Sequence, residues 1–174
     1  AHGFRTEVHD PVWLSKAWWN ETYIDLIYSS GNGIAVVDTE WIARAPVGDV
    51  RGLPARLVSP EEMIWSKAFI QERERFDGAD VAHVLRARAE QMDWDRLLKR
   101  FGSYWRVLFQ HLVVFGFTYP SERHRLPASV MRDLLNRMEA ELDEPASGAK
   151  LCRGTILSRQ QYLPDVNEWG YKDL

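Results

Sequence analysis

The chain has one cysteine, Cys152, in 174 residues. That excludes an internal disulfide and a zinc site built from cysteines. The five histidines, at positions 2, 9, 83, 111 and 124, form no H-x-x-x-H pair, so a histidine-built metal site is not expected either. No apolar run approaches the ~18 residues of a membrane helix, so no membrane partner is expected. An excess of basic charge is also missing. The sum of 22 basic and 25 acidic side chains is −3, which leaves no global footprint for nucleic acid. There is no internal repeat, and Ala1-His2-Gly3-Phe4 shows no basic region followed by an apolar stretch. With so little cysteine, a reducing, cytoplasmic setting is the expectation.

What remains is ordinary globular material. Hydrophobic residues make up 45% and charged residues 27%, too apolar for a disordered chain. The length suits one domain, or one with a small appendage, and chains of roughly 150 residues bury about 70% of their unfolded surface. The opening Ala1–Arg5 reads like the end of a helix, with Gly3 as its C-terminal cap, running into a strand. Two readings stand: the chain begins inside a fold whose preceding segment is missing, or the N-terminus is processed or tagged.

The pattern along the chain is α+β. Residues 1–58 carry the sheet-rich part, small and antiparallel or mixed. Strands are expected over Phe4–His9, Trp13–Trp19 and Thr22–Tyr28, with a tight turn at Asn20-Glu21. Ser29–Gly33 is a loop, Asp38 caps a short helix, and Val47–Gly52 and Leu53–Val58 suggest a second strand pair. Residues 59–143 are helical. Ser59-Pro60-Glu61-Glu62 is a capping box opening a helix to about Phe76, and a second helix runs from about Ala79 to Gln91. Asp93 caps a third helix ending at Gly102, Ser103 starts a fourth, apolar one, and a fifth spans Ala128–Leu142. Residues 144–174 are a linker and a tail. Tyr162, Leu163, Val166, Trp169 and Tyr171 predict that the tail docks back on the body.

Asp25 is the residue most suggestive of chemistry. Its strand carries Ile24, Leu26 and Tyr28 on one face and Tyr23 and Ile27 on the other, a pattern of central, covered strands. A carboxylate buried there must be paired, protonated or bound to a cation. Metal ligand or general base is one reading, and pairing with a neighbouring Arg or Lys is the other. A second cluster, Lys67, Arg73, Glu74, Asp77, Asp80 and His83, lies where the first two helices join. Lys67 and Glu74, seven apart, share a helix face on this reading, and Asp77 and Asp80 occupy N-cap and N3 positions. Lys67 sits among Met63, Ile64, Phe69 and Ile70. It either contacts a phosphate or snorkels into a salt bridge.

Other patterns carry less. Asp93-Trp94-Asp95 has the D-x-D spacing of two-metal enzymes but opens a helix. Gly31-Asn32-Gly33 lacks the rest of a phosphate loop. Cys152 reads as a small buried thiol. Arg123-His124-Arg125, with Lys99 and Arg100, suits an anion or a solvated surface equally.

Tyr23–Gly33 (YIDLIYSSGNG), Ser59–Lys67 (SPEEMIWSK) and Glu72–Asp80 (ERERFDGAD), with the tail Gly154–Tyr162, resemble small bacterial nucleotidyltransferase-fold proteins. Abortive-infection-type toxins belong to the same superfamily. The resemblance implies a mixed sheet flanked by helices and transfer of a nucleoside monophosphate from an NTP to an acceptor. It also implies three carboxylates holding two Mg²⁺ ions. It makes Asp25 the third, catalytic and metal-binding, carboxylate. Lys67, Ser29 and Ser30 become nucleotide-binding positions, with Arg73, Glu74, Asp77 and Asp80 as structural support. Nucleic acid enters only as an acceptor. The family's Gly-Gly or Gly-Ser helix start with paired D-x-D carboxylates has no counterpart before Asp25, where the acidic residues are Glu7, Asp10 and Glu21. Two expectations follow: the catalytic segment lies outside this chain, or catalysis is abandoned and the chain binds a protein partner, or itself, by a sheet edge or its aromatic surface.

Overall fold

The computed structural model describes residues 3–145 and 148–173, so Ala1 and His2 of the helix-end reading and part of the 144–149 linker lie outside the described residues. The fold is α+β, in two compact units, Ala1–Ser59 and Pro60–Leu174.

The first unit opens with an antiparallel meander, β1 (Arg5–Asp10), β2 (Leu14–Trp19) and β3 (Thr22–Ile27), in the order β1-β2-β3. Asn20, at φ 52°, takes the left-handed backbone of the two-residue turn before β3. Helix α1 (Thr39–Arg44) follows, its first turn capped by Asp38, whose Oδ1 accepts from the Trp41 N–H at 2.7 Å. A hairpin of β4 (Val47–Val50) and β5 (Leu53–Arg56) closes on Arg51-Gly52, both at positive φ as tight hairpin turns require.

One expectation fails here. β3 is an edge strand and every one of its residues is exposed, Asp25 included. Apolar residues on both sides of a strand signal burial only when a layer covers each face. Here Ile24, Leu26 and Ile27 stand 60%, 45% and 58% exposed.

The second unit packs α2 (Pro60–Lys67), α3 (Gly78–Arg88), α4 (Trp94–Phe101), α5 (Trp105–Thr118) and α6 (Ala128–Leu142). Its core is Ile64, Phe69, Leu85, Leu97, Leu108 and Phe115, all but removed from solvent. Asp93 caps α4, its Oδ1 accepting from the Arg96 N–H at 3.0 Å.

The first helix stops nine residues short of its expected end at Phe76. After Lys67 the chain makes a tight turn, with the Ile70 N–H donating to the Lys67 carbonyl at 3.0 Å. It then folds into a small hairpin-like loop, Glu72 and Arg75 exchanging backbone hydrogen bonds at 2.9 and 3.3 Å. The alternating Glu and Arg of this stretch favour helix, but Phe69 gains more by turning into the core. There its ring meets Phe101 at 5.7 Å and Tyr104 at 5.6 Å. Glu74 therefore shares no helix face with Lys67. It pairs instead with its exposed neighbour Arg73 at the loop tip.

The tail forms β6 (Leu151–Cys152), α7 (Arg159–Asn167) and β7 (Lys172–Asp173), with β6 and β7 parallel. It meets the helical body where the Gln71 N–H donates to the Leu157 carbonyl at 3.2 Å. Cys152, Thr155 and Ser158 are its buried residues, whereas the expected anchor Trp169 is 61% exposed.

Candidate functional site

The meander presents two unlike faces. Pairing registers place Arg5, Glu7, Lys16, Trp18, Tyr23 and Asp25 on one. Glu7, Lys16 and Asp25 sit directly opposite one another across the three strands, a row of alternating charge. The Lys16 ammonium also lies 4.1 Å from the Tyr23 ring centre, and Trp18 packs on Tyr23 at 4.7 Å. The other face carries Phe4, Val8, Ala17, Trp19, Ile24 and Leu26, with Phe4 on Trp19 at 5.3 Å. Val8, Trp19 and Ile24 there are half or more exposed. The first face also carries Leu14 and Ile27, and the second Thr6, Ser15 and Thr22, so the charges gather on one side while apolar side chains stand on both.

The carboxylate set does not fit a pair of Mg²⁺ ions. Among the described residues no three His, Cys, Asp or Glu side chains gather in a way that could hold a metal. Glu7 is two strands from Asp25, roughly 10 Å at the usual strand spacing, with Lys16 between them.

The loop after β3 is closed on itself. The Ser30 hydroxyl donates to Asn32 Oδ1 at 2.5 Å and accepts from the Ala35 N–H at 2.9 Å. The Gly33 N–H donates to the Ser30 carbonyl at 2.8 Å, with Gly33 at φ 74°. Ser29 is buried. Ser30 thus shapes the loop, whereas the Ser29 hydroxyl is buried without a hydrogen-bond partner among the described residues, and neither hydroxyl stands exposed for a ligand.

In the second unit the Lys67 ammonium lies 2.8 Å from Asp77 Oδ2 and 2.7 Å from Asp80 Oδ2. Arg75 adds a second cation to Asp77 at 3.3 Å. Burial works against the charged form of Lys67, yet the bonds and charges of Asp77 and Asp80 outweigh it and raise the pKa above its ordinary value. Burial likewise pushes the Asp77 carboxyl upward, and Lys67 and Arg75 overcome that to hold it below the usual carboxylate range. Asp77 makes no side-chain cap on α3, contrary to its N-cap position. Its oxygens are committed to the two cations. Lys67 thus snorkels into a salt bridge, ties the end of α2 to the start of α3, and has its charge neutralised.

Two further groups were not legible as sites. Glu62 is fully buried, and its Oε1 accepts from Arg96 and, at 2.9 Å, from Arg100 Nη2. Glu61 accepts from the Asp93 N–H at 2.8 Å and lies 3.7 Å from Arg96. Arg100, expected equally against an anion or at a solvated surface, is packed 4.9 Å from the Trp65 ring centre. The sequence signal is faint: two acids directly before Met63-Ile64-Trp65, and two arginines four apart among Leu97, Leu98 and Phe101. The other is His111, 3% exposed, whose Nε2–H donates to the Ala68 carbonyl at 2.9 Å.

Set against protein families, curated proteins and solved structures, the chain matches none. No helix among the described residues is long and apolar enough to cross a membrane.

Proposed function

We propose that this is a cytoplasmic nucleotidyltransferase-like protein that moves a nucleoside monophosphate from an NTP to an acceptor with Mg²⁺. Asp25 is the carboxylate this chain contributes. The observation that carries the reading is the two-faced sheet. Asp25 stands in solvent on the face that carries the Glu7–Lys16–Asp25 row, while Val8, Trp19, Ile24 and Leu26 stand exposed on the opposite face. A sheet so built is one layer of a larger core, and what completes that core supplies the missing carboxylates. The test is pyrophosphate release from each common NTP, with Mg²⁺, by the protein as its native source makes it. Release that disappears in Asp25→Asn supports the reading. Release unchanged by that substitution, or none with any NTP, sinks it.

The same exposed face favours a second reading, a catalytically inactive module that binds a protein partner or a second copy through β1, β3 or the apolar face. It requires self-association or a tight complex, and no nucleotide effect on Tm. A single monomer peak in sedimentation over a wide concentration range sets self-association aside.

A further inference from the structure

Helices α5 and α6 each carry apolar side chains beyond those that the helical unit buries in its own core. On α6, Val130 and Leu134 are buried, at 6% and 0% exposure, and satisfy the core. Met131, Leu135, Met138 and Leu142 follow one another at spacings of four, three and four, so they form a second stripe. Leu135 and Leu142 in that stripe are 53% and 79% exposed. On α5, Val113 and Phe117 stand out in the same way, four residues apart and 52% and 85% exposed. Singly exposed leucines need no explanation, but an ordered stripe three turns long is more than scatter.

The stripe leads into a groove of about 760 Å³ between the two helices, floored by Val113, Leu126 and Met131. Gly116 lies in its lining. A methyl group there would meet nothing closer than Arg123 Cβ at 4.0 Å. The rim is basic, formed by Arg123, His124 and Arg132. Several arginines of this unit are paired, Arg86 with Glu122, Arg96 and Arg100 with Glu62, Arg106 with Glu141 and Arg137 with Asp133, while Arg88 and Arg153 have no ion pair among the described residues. Arg123 and Arg132 have no ion pair among the described residues. An apolar floor with unneutralised guanidiniums along its edge calls for an occupant of matching pattern.

We propose that the α5–α6 groove docks an amphipathic helix of a partner protein, with apolar side chains into the floor and acidic residues against Arg123 and Arg132. The stripe from Met131 to Leu142 runs about 16 Å along α6 at the helical rise, which matches about three turns of a docked helix. Methionine in the floor suits an adaptable docking surface. A nucleic acid is the poorer fit, because its phosphates would lie over Met131 and Leu135 and leave the apolar floor unused. The surface is independent of the nucleotidyl-transfer reading.

The test uses the whole chain and a labelled synthetic helical peptide of about four turns, with leucines at i, i+3, i+4 and i+7 and glutamates flanking them. A scrambled peptide of the same composition and a single-stranded RNA of equal charge are the comparison probes, all read by fluorescence anisotropy. The patterned peptide binds, the scrambled one does not, and amide chemical-shift changes map to α5 and α6. Leu135→Asp weakens binding by about tenfold or more, as loss of a central anchor does. Arg123→Glu combined with Arg132→Glu weakens it similarly and flattens its salt dependence. All three residues are exposed, so the variants fold, and the shift map on the unaltered chain locates the binding surface even if one does not. Equal binding of the scrambled peptide, indifference to these substitutions, absence of binding, or preference for the RNA overturns the proposal.

Discussion

His111 sits on α5 between Leu108, Leu112 and Phe115, with the Phe76 ring stacked on it at 6.3 Å. Burial disfavours its charged form. The Nε2–H bond to the Ala68 carbonyl works the other way but is outweighed, so the pKa falls below 6.5. The unfolded chain therefore binds a proton more readily than the native one, and stability rises with pH through this window. Its contribution is complete above about pH 6.5 and is lost as the pH falls toward the lower native value. Urea unfolding at about pH 7.5 and about pH 5.5 should show this loss in the wild type and a smaller one in His111→Gln. Equal loss in both would mean that His111 is not the titrating group. A lone histidine in a sequence shows nothing of this. Its i−3, i+1 and i+4 neighbours are all apolar, and that periodicity was the available signal.

At the scale of elements, turn and cap chemistry was readable because it is local. Asp38 and Asp93 cap the helices expected of them, and α6 spans the expected residues. What misled were inferences about which neighbour a residue would meet. The apolar alternation of β3 implied burial without saying what would bury it. The Glu-Arg-Glu-Arg stretch implied helix without showing that Phe69 must reach Phe101. The packing of α2 on α4 is another such case, since it brings Glu62 to Arg96 and Arg100 across more than thirty residues of sequence. Removing one partner of a buried pair leaves the other charge uncompensated, at a cost of about 3–5 kcal/mol. Glu62→Ala should therefore lower unfolding free energy by about that amount, with Glu61 remaining beside Arg96. Replacing Glu62, Arg96 and Arg100 with apolar residues of similar volume should recover much of the loss. Denaturant midpoints for the two variants decide it. A single substitution costing under about 1 kcal/mol would place the cluster in effectively solvated surroundings.

The whole chain divides its apolar burial unequally. Of the larger hydrophobic side chains in residues 3–59, Leu14 and Trp41 are buried, whereas the helical unit buries Ile64, Phe69, Leu85, Leu97, Phe101, Leu108, Leu112, Phe115 and Leu134 almost completely. Each such side chain is worth about 1.5–3 kcal/mol, so the helical unit holds most of the stabilisation and the meander little of its own. A three-stranded sheet without a covered face is marginal. Amide hydrogen exchange on the intact chain should therefore separate the two: α5 protected to near the global unfolding free energy, β1–β3 exchanging by local opening several kcal/mol below it. Equal protection would mean that the meander is stable uncovered and needs no completing layer. Low protection that rises on binding, with Val8, Trp19, Ile24 and Leu26 becoming inaccessible, would identify what covers the sheet.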